Sequence, residues 1–225
     1  MNIVNGVEHK WNVTVEEAYA IQEQLARRVK LASLKEVPRR IGGVAYRSIG
    51  DDQVSVSIVV VSFPTMEILE EEAKIFSAPI PYKAGLAAFH AGFGITKLFS
   101  NLKKKPNLLM FLGHGIAHPR GCGIASHLGI LLSMPSIGCA TSILYGVPMG
   151  GIDNQRGEQV PLLSLSGDTI GVILRTRQDV HPLIVSCGYR VTLDEAVDIT
   201  MKSTKRFRLP EPIRMAQRLA RTVVN

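Results

Sequence analysis

The sequence predicts a mixed α/β fold, and three observations carry that expectation. Gln53 to Phe63 (QVSVSIVVVSF) alternates strictly and then becomes a continuous apolar run, which is strand behaviour. Asn107 to Leu112 (NLLMFL) is short and wholly apolar, as a central strand buried on both faces must be. Thr14 to Lys30 (TVEEAYAIQEQLARRVK) places Ala18, Ile21, Leu25 and Val29 at helical spacing.

The elements follow in order. In the first helix Thr14 is the cap, and Glu17 three residues on completes a capping-box pattern. Arg40 to Ile49 is the first strand and Gln53 to Phe63 the second, with Gly50-Asp51-Asp52 as the turn between them. Pro64-Thr65 then turns the chain into a third strand, Met66 to Ile75, so the three form an antiparallel meander. Gly85 to Leu102 reads as a helix, stopped by Lys103-Lys104-Lys105-Pro106: cations suit a helix C-terminus, and a proline cannot continue the helix. After the strand 107–112 come a helix over Gly123 to Leu132 and a strand over Ser136 to Ala140. Pro148 to Gln159, rich in Gly, Asp, Asn and Gln, reads as an exposed loop. Val160 to Arg177 and Leu183 to Ser186 carry further strand signal. Leu193 to Lys202 is a helix with Asp194 and Glu195 in its first turn. Periodicity alone supports mixed α/β; the order β-β-β-α-β-α-β is that of an RNase H-like domain.

Length and composition bound the rest. A chain of 225 residues without repeats, low-complexity stretches or a dividing linker suits one domain over 1–225. With 46% hydrophobic and 20% charged residues it has the make-up of a soluble globular protein rather than a disordered one. A net charge of +7 fits a polyanionic partner, and fits an ordinary basic surface as well. Cys122, Cys139 and Cys187 show no CxxC or zinc spacing and read as small buried residues in a reducing cytoplasm. Met1 to Lys10 is polar and mixed, so no secretory leader is expected. No apolar run reaches the ~18 residues a membrane span needs. The expected location is cytoplasmic, with no membrane partner.

The motif-bearing segment is Phe111 to Ala140, FLGHGIAHPRGCGIASHLGILLSMPSIGCA. It is followed downstream by Arg208-Leu209-Pro210-Glu211-Pro212 (RLPEP). A lone GHG means little, but GHGxxHPRxxGxAxHxG, then PxIG, then RLPEP is specific. This segment resembles the signature of the endonuclease V family, nucleases that nick DNA or RNA near a deaminated adenine, inosine. Ile41 to Tyr46 (IGGVAY) resembles the family's first strand. Pro81-Tyr82-Lys83-Ala84-Gly85 with the helix after it resembles its PYIPG wedge segment. Pro182 to Pro212 resembles its closing region.

The resemblance implies an RNase H-like mixed sheet flanked by helices, the endonuclease V fold. It also implies phosphodiester hydrolysis assisted by Mg or Mn held on carboxylates. The family's three carboxylate positions are Ala45, Ala91 and Leu112 here. Its active-site lysine falls on Thr141 and its histidine on Tyr189. Alanine and leucine offer a cation no oxygen. Loss at these five positions, with the scaffold motifs kept, implies a homologue that has given up catalysis and kept nucleic-acid binding, with no cofactor expected.

The binding expectations also follow from the resemblance. Tyr82 is the wedge that fills the gap left by an extruded base, because its ring replaces lost stacking. Lys83 adds a charge within reach of phosphate. Gly85, Gly113 and His114 lie near the base pocket, and Arg120, Arg190, Lys202, Lys205, Arg206 and Arg208 lie on the phosphate backbone. Each has a plainer reading: glycines for tight packing, His114, His118 and His127 as hydrogen-bonded loop fasteners, the basic runs as solvated surface. The expected partner is DNA or RNA. Two alternatives stay open. One is an active nuclease whose metal sits on other carboxylates, drawn from Asp51, Asp52, Glu70 to Glu72, Asp153, Glu158, Asp194 and Glu195. The other is a protein-interaction or regulatory subunit that reuses the scaffold, with a protein partner.

Overall fold

The structure is a computed structural model. It describes the backbone of residues 2–4 and 7–224, with side chains from 9 to 224. A short hairpin, β1 (Asn2–Val4) with β2 (Val7–His9), precedes helix α1 (Val15–Ala26). Thr14 and Glu17 form the capping box expected of them. The helix ends at Ala26 rather than Lys30: the chain turns there, and the Lys30 carbonyl takes the Arg190 amide instead of an intrahelical partner.

The meander follows as β3 (Arg40–Ile49), β4 (Gln53–Ser62) and β5 (Ile68–Ser77), paired antiparallel in sequence. The third strand starts two residues later than its pattern suggested. Met66 has a φ of 66° and is buried, and its amide bonds Ser62, so it belongs to the turn. Helix α2 (Ala87–Asn101), strand β6 (Leu108–Leu112), helix α3 (Ile124–Leu132) and strand β7 (Ser136–Ala140) come next. The chain then makes β8 (Val147–Pro148), β9 (Gln159–Leu163), β10 (Thr169–Leu174) and β11 (Leu183–Tyr189). The strand signal over 160–177 thus divides into two strands around a turn at Ser164 to Asp168. Helices α4 (Leu193–Ser203) and α5 (Glu211–Thr222) close the chain.

Nine strands form one mixed sheet in the order β5-β4-β3-β6-β7-β11-β10-β9-β8. β3, β6 and β7 run parallel at its centre, and the other pairs are antiparallel. Alternation sorts the side chains. Ile41, Ala45, Leu108 and Met110 face α4 and α5, whereas Val44, Leu109 and Phe111 face α2 and α3.

Helix α5 has no counterpart among the expected elements, yet it covers the meander. Its spacing Ile213, Ala216, Ala220 is helical and those three residues are buried. Gly43 lets it seat: a Cβ there would stand 2.0 Å from the Pro212 carbonyl oxygen. Ser57 and Ser55 on β4 donate to the Ala216 and Ala220 carbonyls at 2.6 and 2.7 Å, giving these buried hydroxyls partners.

Candidate nucleic-acid interface

The five positions that the resemblance marks, Ala45, Ala91, Leu112, Thr141 and Tyr189, do not fall in one packed cluster. Val44 pairs with Phe111 across β3 and β6, so the next residues, Ala45 and Leu112, are neighbours on the α5 face. Ala45 is wholly buried in the same apolar cluster as Ile213 and Ala216. Ala91 is also wholly buried, but in the cluster on the opposite face, beside α3. Thr141 lies one residue beyond β7 and is exposed, and its carbonyl accepts from Arg208 at 3.0 Å. Tyr189 packs with Leu25, Cys122 and Ile130 under α1 and α3, with the Arg190 guanidinium 4.9 Å above its ring.

This donor set does not fit Mg or Mn, which need several hard oxygens converging on one point. Two of the other candidate carboxylates, Glu70 and Glu195, are engaged in local hydrogen bonds. Glu70 accepts the amides of Lys103 and Lys104, which ties the exposed edge strand β5 to the end of α2. Glu195 accepts from Thr192 and the Leu34 amide. Among the described residues no three His, Cys, Asp or Glu side chains are grouped as metal ligands.

The segment from Pro81 to Gly85 is built differently. Tyr82 is 54% exposed, in the loop before α2. Its ring stands edge-on to His90, with centroids 5.6 Å apart at 79°. His90 is wholly buried; its Nδ1–H donates to the Ile80 carbonyl at 2.9 Å. That leaves Nε2 as acceptor, so the Ser48 hydroxyl donates to it at 2.9 Å. Tyr82 also bonds Tyr46, whose phenol is pushed up first by desolvation and then by Tyr82 itself. Lys83 and Ala84 are exposed beside it.

The end of the loop is held from below. Gly85 has a φ of 82°, the left-handed region that glycine enters without strain. Its carbonyl accepts from Gln22 Nε2 at 2.8 Å and from His118 Nε2 at 2.9 Å. His118 Nδ1 accepts the Arg120 amide, so His118 is neutral, and burial pulls it down to about 4. Arg120 donates to Gln22 at 2.7 Å and lies 3.8 Å over the Tyr19 ring. Its guanidinium therefore fastens the loop before α2 to α1. Gln22 is the centre of this arrangement and carries no motif that would have singled it out.

His114 donates from Nε2 to the Ser142 carbonyl at 2.9 Å, joining the loop after β6 to the loop after β7. Burial holds it below the usual histidine range. Gly113, between Leu112 and His114, bonds the Cys139 carbonyl. Gly138 is a close approach to the same loop, where a Cβ would fall 2.4 Å from the Gly115 nitrogen. His127 belongs to neither loop: it is wholly buried against His9.

The basic run is divided. Arg208 points inward and donates to the Thr141 and Pro182 carbonyls, and its partial burial lowers its pKa. The exposed Arg206 offers its carbonyl to Arg177. Lys202 is exposed and ion-paired with Asp198 at 2.7 Å. Lys202 and Lys205 line a groove shared with Arg39 and Arg156, residues that no motif marked. Arg190 is exposed with a φ of 48°. Lys202 and Lys205 are thus separated from Tyr82. Arg39 lies just before β3, beside the Arg40–Ser62 pair, and Tyr46, the partner of Tyr82, is seven positions on, roughly 23 Å at the rise of a strand.

The profile of the Endonuclease V family matches residues 23–218. The chain belongs to the endonuclease V family. Endonuclease V of Dictyoglomus thermophilum is 38% identical over 216 residues, which cover 96% of this chain and 93% of that one. The crystal structure of Endonuclease V from Streptomyces avermitilis superposes with a TM-score of 0.88 at 34% identity, covering 97% of this chain and 96% of that one. The Endonuclease V of Ciona intestinalis, in complex with a 24mer DNA containing an inosine followed by a ribo-adenosine, superposes with a TM-score of 0.84 at 26% identity, covering 93% and 97%. The RNase H-like mixed sheet flanked by helices is therefore the endonuclease V fold.

Proposed function

We propose that this endonuclease V homologue binds DNA or RNA strands at inosine or at distorted, single-stranded sites and does not cut them. One contrast carries the reading. Ala45 and Ala91, at the family's carboxylate positions, are sealed into apolar clusters, whereas Tyr82 at the wedge position is half exposed and propped by His90 and Tyr46. The relative from Ciona binds an inosine-containing DNA, which makes inosine the first ligand to try. A wedge needs only a rigid ring at the gap in the stack, and that does not depend on metal. Among the described residues no helix is long and apolar enough to cross a membrane. Three unpaired, buried cysteines fit a reducing cytoplasm.

The test is a fluorescence-anisotropy titration with two labelled strands, inosine in one and adenosine at the same place in the other, at two salt concentrations. A parallel incubation with Mn reads cleavage. The reading expects tighter binding to inosine and intact strands. Cleavage that a carboxylate substitution abolishes would establish a working nuclease instead. No binding at low salt would favour a scaffold that meets a protein partner.

A further inference from the structure

A groove of about 900 Å³ opens between the start of β3, the turn after β4 and the C-terminal end of α4. Arg39, Arg156, Lys202 and Lys205 line it against a single carboxylate, Glu36. Arg39 and Lys205 are exposed and enter no ion pair among the described residues; Lys202 has only the exposed pair with Asp198, which contributes little. Arg156 is held in place because it donates to the Met201 and Thr204 carbonyls at 3.3 Å, at the end of α4. Between the cations lies an apolar surface of Phe63, Met201 and Val37, the last 75% exposed.

The geometry points to a second strand-binding groove, at the opposite end of the β3–β4 ladder from Tyr82. It takes single-stranded nucleic acid with phosphates on Arg39, Arg156 and Lys205 and a base against Phe63. A line of cations beside an aromatic ring suits a single strand, since phosphates follow the charge and every base has a face to stack. Arg39 and Tyr46, the partner of Tyr82, are roughly 23 Å apart along β3, so one strand crossing both sites gains avidity without any new contact. The inference rests on the nucleic-acid reading above.

The test compares the wild type with the Arg39→Glu/Lys205→Glu double variant and with Tyr82→Ala, using a labelled oligouridine titrated over a range of salt. Two lost phosphate contacts should make the slope of log K against log salt shallower by about 1.4, at about 0.7 per contact on a single strand. They should also weaken binding at least tenfold at low salt. Tyr82→Ala should leave the slope unchanged. An oligouridine carrying 5-iodouridine should, on irradiation, mark Phe63 by mass mapping, a readout independent of how the double variant folds. An unchanged slope with adducts confined to the Tyr82 loop overturns the groove and leaves the proposed function standing. No wild-type binding to any strand overturns both. Displacement of the strand by polyglutamate at matched charge, without a Phe63 adduct, assigns the groove to an acidic peptide and overturns it too.

Discussion

The Nε2 atoms of His9 and His127 stand 2.5 Å apart in the interior, joining the strand of the N-terminal hairpin to α3 across 118 positions of sequence. Only one of the two can carry the proton between them, so the pair holds together while at least one ring is neutral. His9 stacks on Trp11 at 4.1 Å, and Phe89 meets both histidines edge-on. Burial pulls His9 down to about 4 and His127 well below its usual range, the latter aided by His9 and His118.

Acid should therefore loosen this end of the molecule. His9, His118 and His127 refuse protons in the folded state that they accept near 6.5 when unfolded. Stability from their neutral forms is fully present above about pH 6.5 and is lost as pH falls from there toward 4. Thermal melts across pH 4 to 7.5 should show this decline, and His9→Phe, which keeps the stack on Trp11, should flatten it. A melting temperature that does not change over that range would mean the pair is already charged or open.

Gly43→Ala should separate α5 from the sheet. The added methyl would meet the Pro212 carbonyl at 2.0 Å, backbone against backbone, with no rotamer to relieve it. An overpacking cost of about 1–3 kcal/mol corresponds to a melting temperature lower by roughly 2–4 °C per kcal/mol in a chain of this size. Hydrogen exchange should quicken in α5 and β4, where Ser55 and Ser57 hold α5 carbonyls, before it quickens elsewhere.

Ala45→Asp should destabilise the fold by about 3–5 kcal/mol at neutral pH, because the new carboxylate would be buried and unpaired among Ile213, Ala216 and Leu112. Adding Leu112→Asp and Ala91→Glu tests whether the site can be rebuilt. If the two faces can be drawn together, Mn should raise the melting temperature of the triple variant and leave the wild type unchanged. Equal responses of both proteins to Mn would point to ligands elsewhere on the wild-type chain.

Tyr82→Ala should weaken binding to an inosine strand by about 1–3 kcal/mol, the worth of one stacked base, or roughly fivefold to 150-fold. Tyr82→Phe keeps the ring and loses only the bond to Tyr46, so most of the affinity should remain. If alanine and phenylalanine behave alike, the hydroxyl rather than the stack is what matters.

Much of this architecture is legible in the amino-acid order. β3 and β7 span the residues that alternation and apolar runs marked, and Thr14 and Glu17 make the cap their spacing announced. These are local properties: strand period, helix period and capping all act within a few neighbours. The motif run likewise carried the family, since its glycines, histidines and prolines are read in sequence order.

What the chain does with those elements depended on contacts between distant segments. Helix α5 has the spacing of a helix, but that it seals Ala45 into the core follows from Gly43 and Pro212 meeting 169 positions apart. Arg120 reads in the sequence as free for phosphate, whereas in the fold Gln22, Gly85 and Tyr19 surround its guanidinium. The run from Lys202 to Arg208 looked like one patch, and the chain turn after α4 sends Arg208 inward while Lys202 and Lys205 join Arg39 and Arg156. The sequence by itself determined the meander, the central strands and helices α1 to α4, and which family's scaffold they build, but not α5 or the N-terminal hairpin. Only the tertiary structure decided which cations remain free and which ring is presented, because those depend on surfaces brought together by packing rather than on neighbours along the chain.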